Sequence, residues 1–500
     1  MRLRRESETL FVSFVSLWCI FLSLVKAKIS PVSQTVSVDV IERLKQVLGE
    51  GGWSQDADRL APKLVEWRDR WSGSTPFLAL PKTTGQVAAV VALCARSGTP
   101  ITPQGGNTGL VGGQIPAGEI LLSTERLTRV RDIDVLDDVI EVEAGVTLAA
   151  VHDAAAAAGR RFPLSLASEG SATIGGLIST NAGGTAVLRY GTMRALVLGL
   201  EAVLPDGAVW NGLKRLRKDN TGYDLKQLLI GAEGTLGIVT AASLKLFPIP
   251  ASTAVAFVGV ASPAEAVALL RRARDETGGA VEAFELISRL GVDLACRHLP
   301  GVRDPLTGRP AWSVLIEIVA GAPGEAEAAL ERLLASALEE GMITDAALAQ
   351  NDTQARAFWA LREGQSAAQK PEGAAWKHDV SVPVSRIAAF IDTATQGLAD
   401  RFPGVRVDAF GHVGDGNIHF DVLAVPGGDQ AAHAAARDAG AHFVHDLVVS
   451  LGGSISAEHG LGTMKTAEAV AYKQPAEVAA LQAIRAALDP KRIMNPRVLF

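Results

Sequence analysis

Two histidines seven positions apart are the first residues of the sequence whose types and spacing suggest chemistry. His412 and His419 lie in the segment AFGHVGDGNIHFDV (409–422), on either side of a glycine-rich bend. If residues 418–423 form a strand, alternation of its side chains places His419 and Asp421 on one face, which His412 shares from the preceding strand. Imidazole nitrogens bind Zn²⁺, Mn²⁺ or Fe²⁺. The segment therefore suggests a metal site, and the alternative is a hairpin with a glycine-rich bend.

Two glycine-rich segments suggest a different chemistry, the binding of a phosphate group by backbone amides. Residues 103–113 (PQGGNTGLVGG) contain five glycines in eleven positions, and residues 170–184 (GSATIGGLISTNAGG) repeat the pattern. Such loops bring N–H groups close to a ligand, and converging amides suit a pyrophosphate. The alternative for either segment is a tight turn without a ligand. Two such segments, each beside predicted strands, favour a phosphate-containing cofactor.

Neither segment fits the usual nucleotide-binding motifs. The sequence has no G-x-x-x-x-G-K-[ST] motif, which excludes a P-loop. It also has no G-x-G-x-x-G between a strand and a helix of a βαβ unit, which argues against a Rossmann NAD domain. A dinucleotide would have to be held in another way.

Alternating helix and strand patterns from residue 81 onward would position the glycine segments. Apolar residues at helical spacing predict a helix over residues 81–98, and residues 139–145 and 147–159 predict a strand followed by a helix. Residues 195–210 predict a hairpin with a Pro-Asp-Gly turn. Strands then continue to Pro250, which marks a domain boundary.

The second half changes character, because a strand followed by a helix occurs twice. Residues 253–260 precede the helical pattern of 263–276, and residues 312–321 precede that of 324–341. This repeat predicts a ferredoxin-like α+β cap domain with helices on one face of a small sheet. The predicted divisions are a leader or an early-assigned start at 1–30, a cofactor domain at 38–250, the cap domain at 251–455, and a C-terminal segment at 456–500.

The composition is that of an acidic globular protein. Its 48 basic and 54 acidic residues give a formal charge of −6, and no basic tract stands out, which argues against a nucleic-acid partner. The three cysteines, Cys19, Cys94 and Cys296, form neither a metal-binding spacing nor a disulfide framework. A reducing, cytoplasmic compartment is therefore expected.

The N-terminus carries a short apolar run, residues 10–25, after Arg2, Arg4 and Arg5. Its 16 residues fall short of the roughly 20 that a membrane-spanning helix needs. Three interpretations stay open: a start codon assigned too early, an anchor at the inner membrane, or a cleaved export signal.

Several long motifs, in order along the chain, carry a resemblance to a known family. The motifs PKTTGQVAAVVALCARSGTPITPQGGNTGLVGG, GSATIGGLISTNAGG, RYGTMRALVLGLEAVLPDG and LIGAEGTLGIVT resemble the PCMH-type FAD-binding domain of the vanillyl-alcohol oxidase/p-cresol methylhydroxylase superfamily. The segment KDNTGYDLKQLLIGAEGTLGIVT and the histidine motifs are most similar to the FAD-dependent D-2-hydroxyacid dehydrogenases. The resemblance covers about residues 40–500. It implies an α+β protein: an FAD-binding domain of two α/β subdomains, a ferredoxin-like cap, and a helical C-terminal segment that returns to the FAD domain.

The resemblance implies that the first glycine segment wraps the FAD pyrophosphate and that later segments contact the ribityl chain and the flavin. Asn107 stands where members with covalent flavin often have histidine, so a non-covalent FAD is expected. The residues implied as cofactor contacts are Pro103, Gln104, Gly105, Gly106, Asn107, Thr108, Gly109, Ser168, Gly170, Thr173, Gly175, Asn181, Gly184, Glu233, Gly234, Ile238 and Asn495.

The same resemblance assigns roles around the histidine pair. It implies that His412, His419 and Glu458 bind Zn²⁺ or another divalent metal, and that His459 is the catalytic general base. Without the resemblance, nothing in the spacing connects Glu458 to the histidines.

Substrate binding is implied for residues of two segments. In LREGQSAAQKPEGAAWKHD (361–379), Arg362 and Lys377 would bind carboxylates and Ser366 would donate a hydrogen bond. Arg362 and Ser366 would share one face of a helix. Asn417 and Asp421 flank the second histidine. Asp421 stands where relatives usually have asparagine, and its negative charge is unfavourable beside an anionic substrate.

The resemblance implies a dehydrogenase that oxidises D-2-hydroxyglutarate or a close D-2-hydroxy acid. D-Lactate or glycolate is the alternative substrate. A non-catalytic flavin electron-transfer subunit is the alternative of another class, and the presence of His412, His419, Glu458 and His459 argues against it. Relatives pass electrons to electron-transfer flavoprotein, quinones or cytochromes, and the sequence does not select among these acceptors. A homodimer is one option for the oligomeric state.

Overall fold

The computed structural model describes residues 36–499. The apolar run at 10–25 and the predicted leader lie outside this range. Within residues 36–499, no helix combines the length and the apolar character needed to cross a membrane.

The first half of the chain forms two main sheets around one hydrophobic core. The strands of the four-stranded sheet are, in order, Trp53–Ser54, Leu78–Ala79, Ile120–Ser123 and Ile101–Gln104. Those of the five-stranded sheet are Val130–Asp134, Val139–Glu143, Ile238–Lys245, Val197–Val203 and Val209–Gly212. A short pair joins Arg160–Arg161 to Phe247–Pro248. The predicted hairpin and the strand beginning at Val139 are both confirmed.

Helices cover these sheets, and local sequence sets their ends. The predicted helix over 81–98 is confirmed as Thr84–Ser97: the Thr83 side chain accepts a hydrogen bond from the Gln86 amide, and Gly98 ends the helix in the left-handed region. The helices of this half are Val38–Leu48, Ala57–Leu64, Thr84–Ser97, Leu148–Ala157, Ile174–Thr180, Val187–Tyr190, Met193–Leu196 and Lys226–Leu229.

The C-terminal segment returns to this half, as the resemblance implied. Ile493 and Met494 are buried in the first core, and Met494 forms a bridge to Ile101. The side-chain amide of Asn495 donates to the backbone carbonyls of Gly113 and Glu233 at 3.0 and 2.8 Å. These contacts fix the chain end against the first glycine segment.

The second half is built on one seven-stranded antiparallel sheet. Its strands are, in order, Asp345–Leu348, Ser252–Val260, Trp312–Ala320, Val281–Ser288, Arg406–His412, Asn417–Leu423 and Ala375–Ser381. The first four have the ferredoxin-like arrangement, in which the fourth strand in chain order pairs with the first, followed by the third and the second. Three later strands extend this predicted unit.

The predicted coverage of one face by helices is wrong, because helices pack on both faces. Helices Pro263–Thr277 and Glu325–Glu339 bury one face against residues such as Ala256 and Val258. Helices Arg289–His298 and Asp352–Glu363 cover part of the other face, around Phe257. Both faces of the strand Ser252–Val260 are apolar, so each face can pack against a helix. The remaining helices of this half are Gln365–Ala368, Lys370–Glu372, Val384–Arg386, Ile387–Arg401, Gln430–Ala435, Arg437–Ser450, Thr466–Tyr472 and Pro475–Leu488.

Candidate active site

One face of the seven-stranded sheet gathers the polar residues of four strands. His412 pairs across the sheet with Glu285 on one side and Asn417 on the other. One strand further, His419 pairs with Asp379. Because directly paired residues point to the same face, these side chains all lie on one surface. The alternation expected for the histidine segment is therefore observed.

His412, His419 and Glu458 come together on this face and could hold a metal ion. Glu458 Oε1 lies 3.7 Å from His412 Nε2, and Glu458 Oε2 lies 4.0 Å from His419 Nε2. The possible ligand atoms all lie within 4.8 Å of one another. Two imidazoles and one carboxylate form a ligand set that leaves positions open on Zn²⁺ or a similar ion.

A second group of possible ligands, Asp379, Glu458 and His459, overlaps the first. Its Asp379 is already engaged as an acceptor: it receives the backbone amides of Glu458 and His459 at 3.0 and 2.9 Å and the side-chain amide of Asn417 at 3.0 Å. His412 Nε2 and His419 Nε2 face Glu458 without such bonds. The first group is therefore the better candidate for a metal site.

A buried carboxylate orients the first histidine. Glu285 Oε1 lies 2.7 Å from His412 Nδ1, so the Nδ1–H donates to Glu285 and Nε2 faces Glu458. Burial lowers the pKa of His412, but the Glu285 carboxylate outweighs it and raises the pKa to about 9. Burial also raises the pKa of Glu458 to about 7. A cation bound between His412 and Glu458 would displace the proton that these two side chains hold near neutral pH.

His459 has the setting of a general base. Its Nδ1 lies 3.3 Å from Asp379 Oδ2, and its ring stacks on that of His419 with centroids 6.0 Å apart. Burial lowers the pKa of His459 below its ordinary value, so the imidazole is neutral near pH 7. A neutral imidazole with one nitrogen facing a carboxylate keeps its other nitrogen ready to accept a proton.

Both predicted substrate cations already have carboxylate partners. Arg362 is buried and donates to Glu285 Oε2 from Nε at 2.8 Å. Lys377 Nζ lies 3.0 Å from Asp421 Oδ2 and also donates to Gln369. Asp421 therefore neutralises Lys377 instead of facing an open site.

The structure separates the other predicted substrate residues. Ser366 lies in the short helix after Gly364, so the continuous helix expected to carry both Arg362 and Ser366 is interrupted, yet both side chains line the same cavity. Asn417 and Asp421 lie outside that lining. The Asn417 amide is committed to Asp379 and to the backbone carbonyl of Val380.

A cavity of about 820 Å³ runs from the first glycine segment to the histidines. Its walls include every residue of 103–109 and the predicted residues Arg362, His412, His419, Glu458 and His459. Gly183 of the second glycine segment lies so close to Glu458 Oε1 that a Cβ atom there would be 2.8 Å from it. One continuous space therefore adjoins the glycine loops and the polar sheet face. The other predicted cofactor contacts in its lining are Ser168, Thr173, Gly175, Gly184, Glu233, Gly234, Ile238 and Asn495.

The glycines in the wall are needed because the backbone approaches other backbone. A Cβ atom on Gly106 would lie 1.8 Å from the Ser171 carbonyl oxygen, and one on Gly184 would lie 2.1 Å from that of Ser165. The buried atoms Thr173 Oγ1 and Asn495 Oδ1 have no hydrogen-bond partner within residues 36–499. A large cavity with close backbone walls and unpaired polar atoms fits a dinucleotide such as FAD.

Some predicted cofactor contacts have other positions or contacts. Gly170 and Asn181 lie outside the cavity lining. Asn181 Oδ1 instead accepts hydrogen bonds from the Thr192 hydroxyl and the Arg194 amide. The Glu233 carboxylate lines the cavity and also accepts the amides of Leu461 and Gly462, both at 2.8 Å, which ties down the segment carrying Glu458.

Several residues of the site were not predicted from the sequence. Glu285 and Asp379 support His412 and His459, and Arg68 and Lys370 line the cavity. Glu285 is one of two acids in the strand VEAFELIS, and nothing in the local sequence distinguishes it from Glu282. Asp379 stands next to His378 in KHD, a short polar run with no recognised spacing.

Comparisons with known proteins agree with this arrangement. Residues 75–212 match the FAD binding domain model, and residues 249–499 match the model of FAD linked oxidases, C-terminal domain. A probable mitochondrial D-2-hydroxyglutarate dehydrogenase of Oryza sativa subsp. japonica is 38% identical, with 93% of this chain and 82% of that protein covered. A putative mitochondrial D-lactate dehydrogenase of Schizosaccharomyces pombe is 34% identical, covering 91% of this chain and 89% of that protein.

A solved structure shares the fold. The crystal structure of p-cresol methylhydroxylase with substrate bound superimposes with a TM-score of 0.72 at 17% identity, covering 92% of this chain and 96% of that one. The PCMH-type fold expected from the sequence is thus confirmed. The chain belongs to the FAD-dependent D-2-hydroxyacid dehydrogenase family.

Proposed function

We propose that this protein oxidises a D-2-hydroxy acid to the 2-oxo acid, with a non-covalent FAD in the 820 Å³ cavity and a divalent metal ion at His412, His419 and Glu458. The observation that carries the proposal is the shared cavity: the glycine walls, the three possible metal ligands and the neutral His459 all line it. The names of the curated relatives support the substrate class.

The oxidation removes a proton from the hydroxyl group and a hydride from the α-carbon, and the C–O single bond becomes a carbonyl. When bound, FAD supplies the hydride acceptor at N5, and the metal ion supplies a Lewis acid that polarises the hydroxyl group. His459 takes the hydroxyl proton on the ring nitrogen that does not face Asp379. The Asp379 carboxylate stabilises the imidazolium that results.

Arg362 binds the carboxylate next to the reacting carbon. Its guanidinium has several donors, and Glu285 occupies one side of it, which fixes the orientation of the fork. Glu285 also accepts a hydrogen bond from His412, so one buried carboxylate orients both Arg362 and a proposed metal ligand. Ser366, which lines the same cavity, donates a hydrogen bond to the substrate.

D-2-Hydroxyglutarate is the first candidate substrate, because it has two carboxylates. The family resemblance assigns two cations, Arg362 and Lys377, to substrate binding, together with the hydroxyl group of Ser366. The Lys377–Asp421 ion pair favours a second candidate, D-lactate or glycolate, which carries no distal carboxylate. Electrons then leave through an acceptor of the electron-transfer flavoprotein, quinone or cytochrome type.

Anaerobic mixing of the FAD- and zinc-loaded protein with each acid tests the proposal. We expect D-2-hydroxyglutarate or D-lactate to bleach the flavin absorbance near its visible maximum, while the L-enantiomers leave it unchanged. If neither D-acid, nor glycolate, bleaches the flavin, the protein does not oxidise these substrates.

A further inference from the structure

A second, smaller cavity of about 370 Å³ adjoins the reaction cavity. The two share Ser366 and Lys370 in their walls. Four cationic side chains line the small cavity, and within residues 36–499 no carboxylate does so. The cations are Arg70, Lys370, Lys377 and Arg437.

Lys377 is already neutralised, and the other three cations are not. Lys377 pairs with Asp421 at 3.0 Å. Arg70, Lys370 and Arg437 make no ion pair with any residue of the described part of the chain. Arg68, which lines the reaction cavity, likewise has no ion pair there.

An exposed tryptophan contacts two of these cations, Arg68 and Lys370. The Arg68 guanidinium lies 5.0 Å from the centre of the Trp67 ring, and Lys370 Nζ lies 4.8 Å from it. Cation–π contacts of this kind hold the two side chains in place but do not neutralise them. Arg68 and Lys370 therefore keep their positive charge at the point where the two cavities meet.

This concentration of charge is unfavourable without a bound anion. Burial lowers the pKa of the Arg70 guanidinium and repulsion by Arg68 and Arg437 lowers it further, and together these effects outweigh the attraction of Glu66 and Asp421. The whole chain has a formal charge of −6, so an unpaired cationic cluster at this position departs from the average surface. Guanidinium groups bind carboxylates and phosphates through paired hydrogen bonds.

We propose that Arg68, Arg70, Lys370 and Arg437 bind a second anionic group of the substrate, a carboxylate or a phosphate. This inference rests on the proposed oxidation of a 2-hydroxy acid. Arg362 holds the carboxylate at the reacting end, Asp421 cancels the charge of Lys377, and the unpaired cations receive the remote anion. The substrate is thus a 2-hydroxy acid with two anionic groups.

The double substitution Arg70→Gln and Arg437→Gln tests the cluster, with Arg271→Gln as the matched control. The Arg271 side chain is 86% exposed and lies on the helix Pro263–Thr277, away from both cavities. Calorimetric titration of the FAD- and zinc-loaded proteins with glutarate and with butyrate separates binding of the second anion from binding of the first. We expect the double variant to bind glutarate about tenfold more weakly or worse, with butyrate binding unchanged and the control like the unaltered protein.

Glutarate binding within about twofold of the unaltered protein would overturn the inference, as would an equal loss for glutarate and butyrate. So would the absence of any preference for glutarate over butyrate in the unaltered protein. The double substitution should also raise the KM of D-2-hydroxyglutarate or of 3-phospho-D-glycerate relative to that of D-lactate. The larger rise identifies the bound group as a carboxylate or a phosphate, respectively. If no 2-hydroxy acid reduces the flavin, the proposed oxidation fails while the titrations still decide the anion site.

Discussion

The glycine walls and the polar sheet face of the cavity are built in opposite ways. The walls use backbone from continuous segments, where Gly106 approaches Ser171 and Gly184 approaches Ser165. The sheet face uses side chains that are far apart in sequence, since Glu285 and His412 are 127 positions apart. Substitutions in the walls should therefore affect FAD binding, whereas substitutions on the sheet face should affect metal binding and reaction with the cofactor still bound.

The largest effect on the reaction is expected from His459→Ala, because it removes the proposed base. The rate of flavin reduction by the substrate should fall about 10²- to 10⁴-fold, and stopped-flow absorbance measures it. Bound FAD, read from the visible spectrum of the purified protein, should be unchanged. Undiminished flavin reduction would rule out His459 as the base.

Substitution of Gly106 should instead remove the cofactor. A Cβ atom there would lie 1.8 Å from the Ser171 carbonyl oxygen, so Gly106→Ala forces the two segments apart. Overpacking of about 1–3 kcal/mol corresponds to roughly 10- to 100-fold weaker FAD binding. Gly170→Ala is the matched control, because a Cβ atom there meets nothing within 4 Å. Equal FAD retention by both variants would contradict the backbone account of the wall.

Glu285→Gln tests whether this carboxylate supports the proposed metal ligand His412. The amide oxygen can accept a hydrogen bond from only one of Arg362 and His412, and the substitution removes the negative charge that orients the Nδ1–H of His412. We expect zinc affinity to fall about 10- to 100-fold, as measured by competition with a chelating dye, while FAD content stays the same. Zinc affinity equal to that of the unaltered protein would show that Glu285 does not support a metal site.

The smallest effect is expected from Asp421→Asn, which frees the charge of Lys377. The KM of D-2-hydroxyglutarate should fall about two- to fivefold, since an unpaired Lys377 adds attraction for a distal carboxylate. D-Lactate serves as the control substrate, and its KM should not change. A higher KM for D-2-hydroxyglutarate would mean that Asp421 supports binding rather than opposing it.

The sequence predicted those features that depend on neighbouring residues. The glycine segments and the alternation that puts His419 on the polar face follow from local spacing and are observed in the structure. Glu458 and His459 could be connected to the histidines only through the family resemblance, because they join the site from a segment near the C-terminus.

The remaining features depend on contacts that local patterns do not encode. Strand register brings Glu285 and Asp379 to the histidines. The three strands beyond the ferredoxin-like unit pair with it only through the 281–288 strand, so a repeat of strand and helix could not reveal them. Arg68 lies in a loop without a motif, and its place in the cavity follows from packing between the two halves.

Metal dependence of flavin reduction tests the central claim most directly. The FAD-loaded protein is treated with a chelator, mixed anaerobically with D-2-hydroxyglutarate and, in a parallel sample, with D-lactate, and then supplied with Zn²⁺. The account predicts that the chelated protein keeps its FAD but stays yellow with either acid, and that added Zn²⁺ restores bleaching by at least one of them. If the chelated protein contains no zinc and is bleached as fast as the protein supplied with Zn²⁺, the account is contradicted.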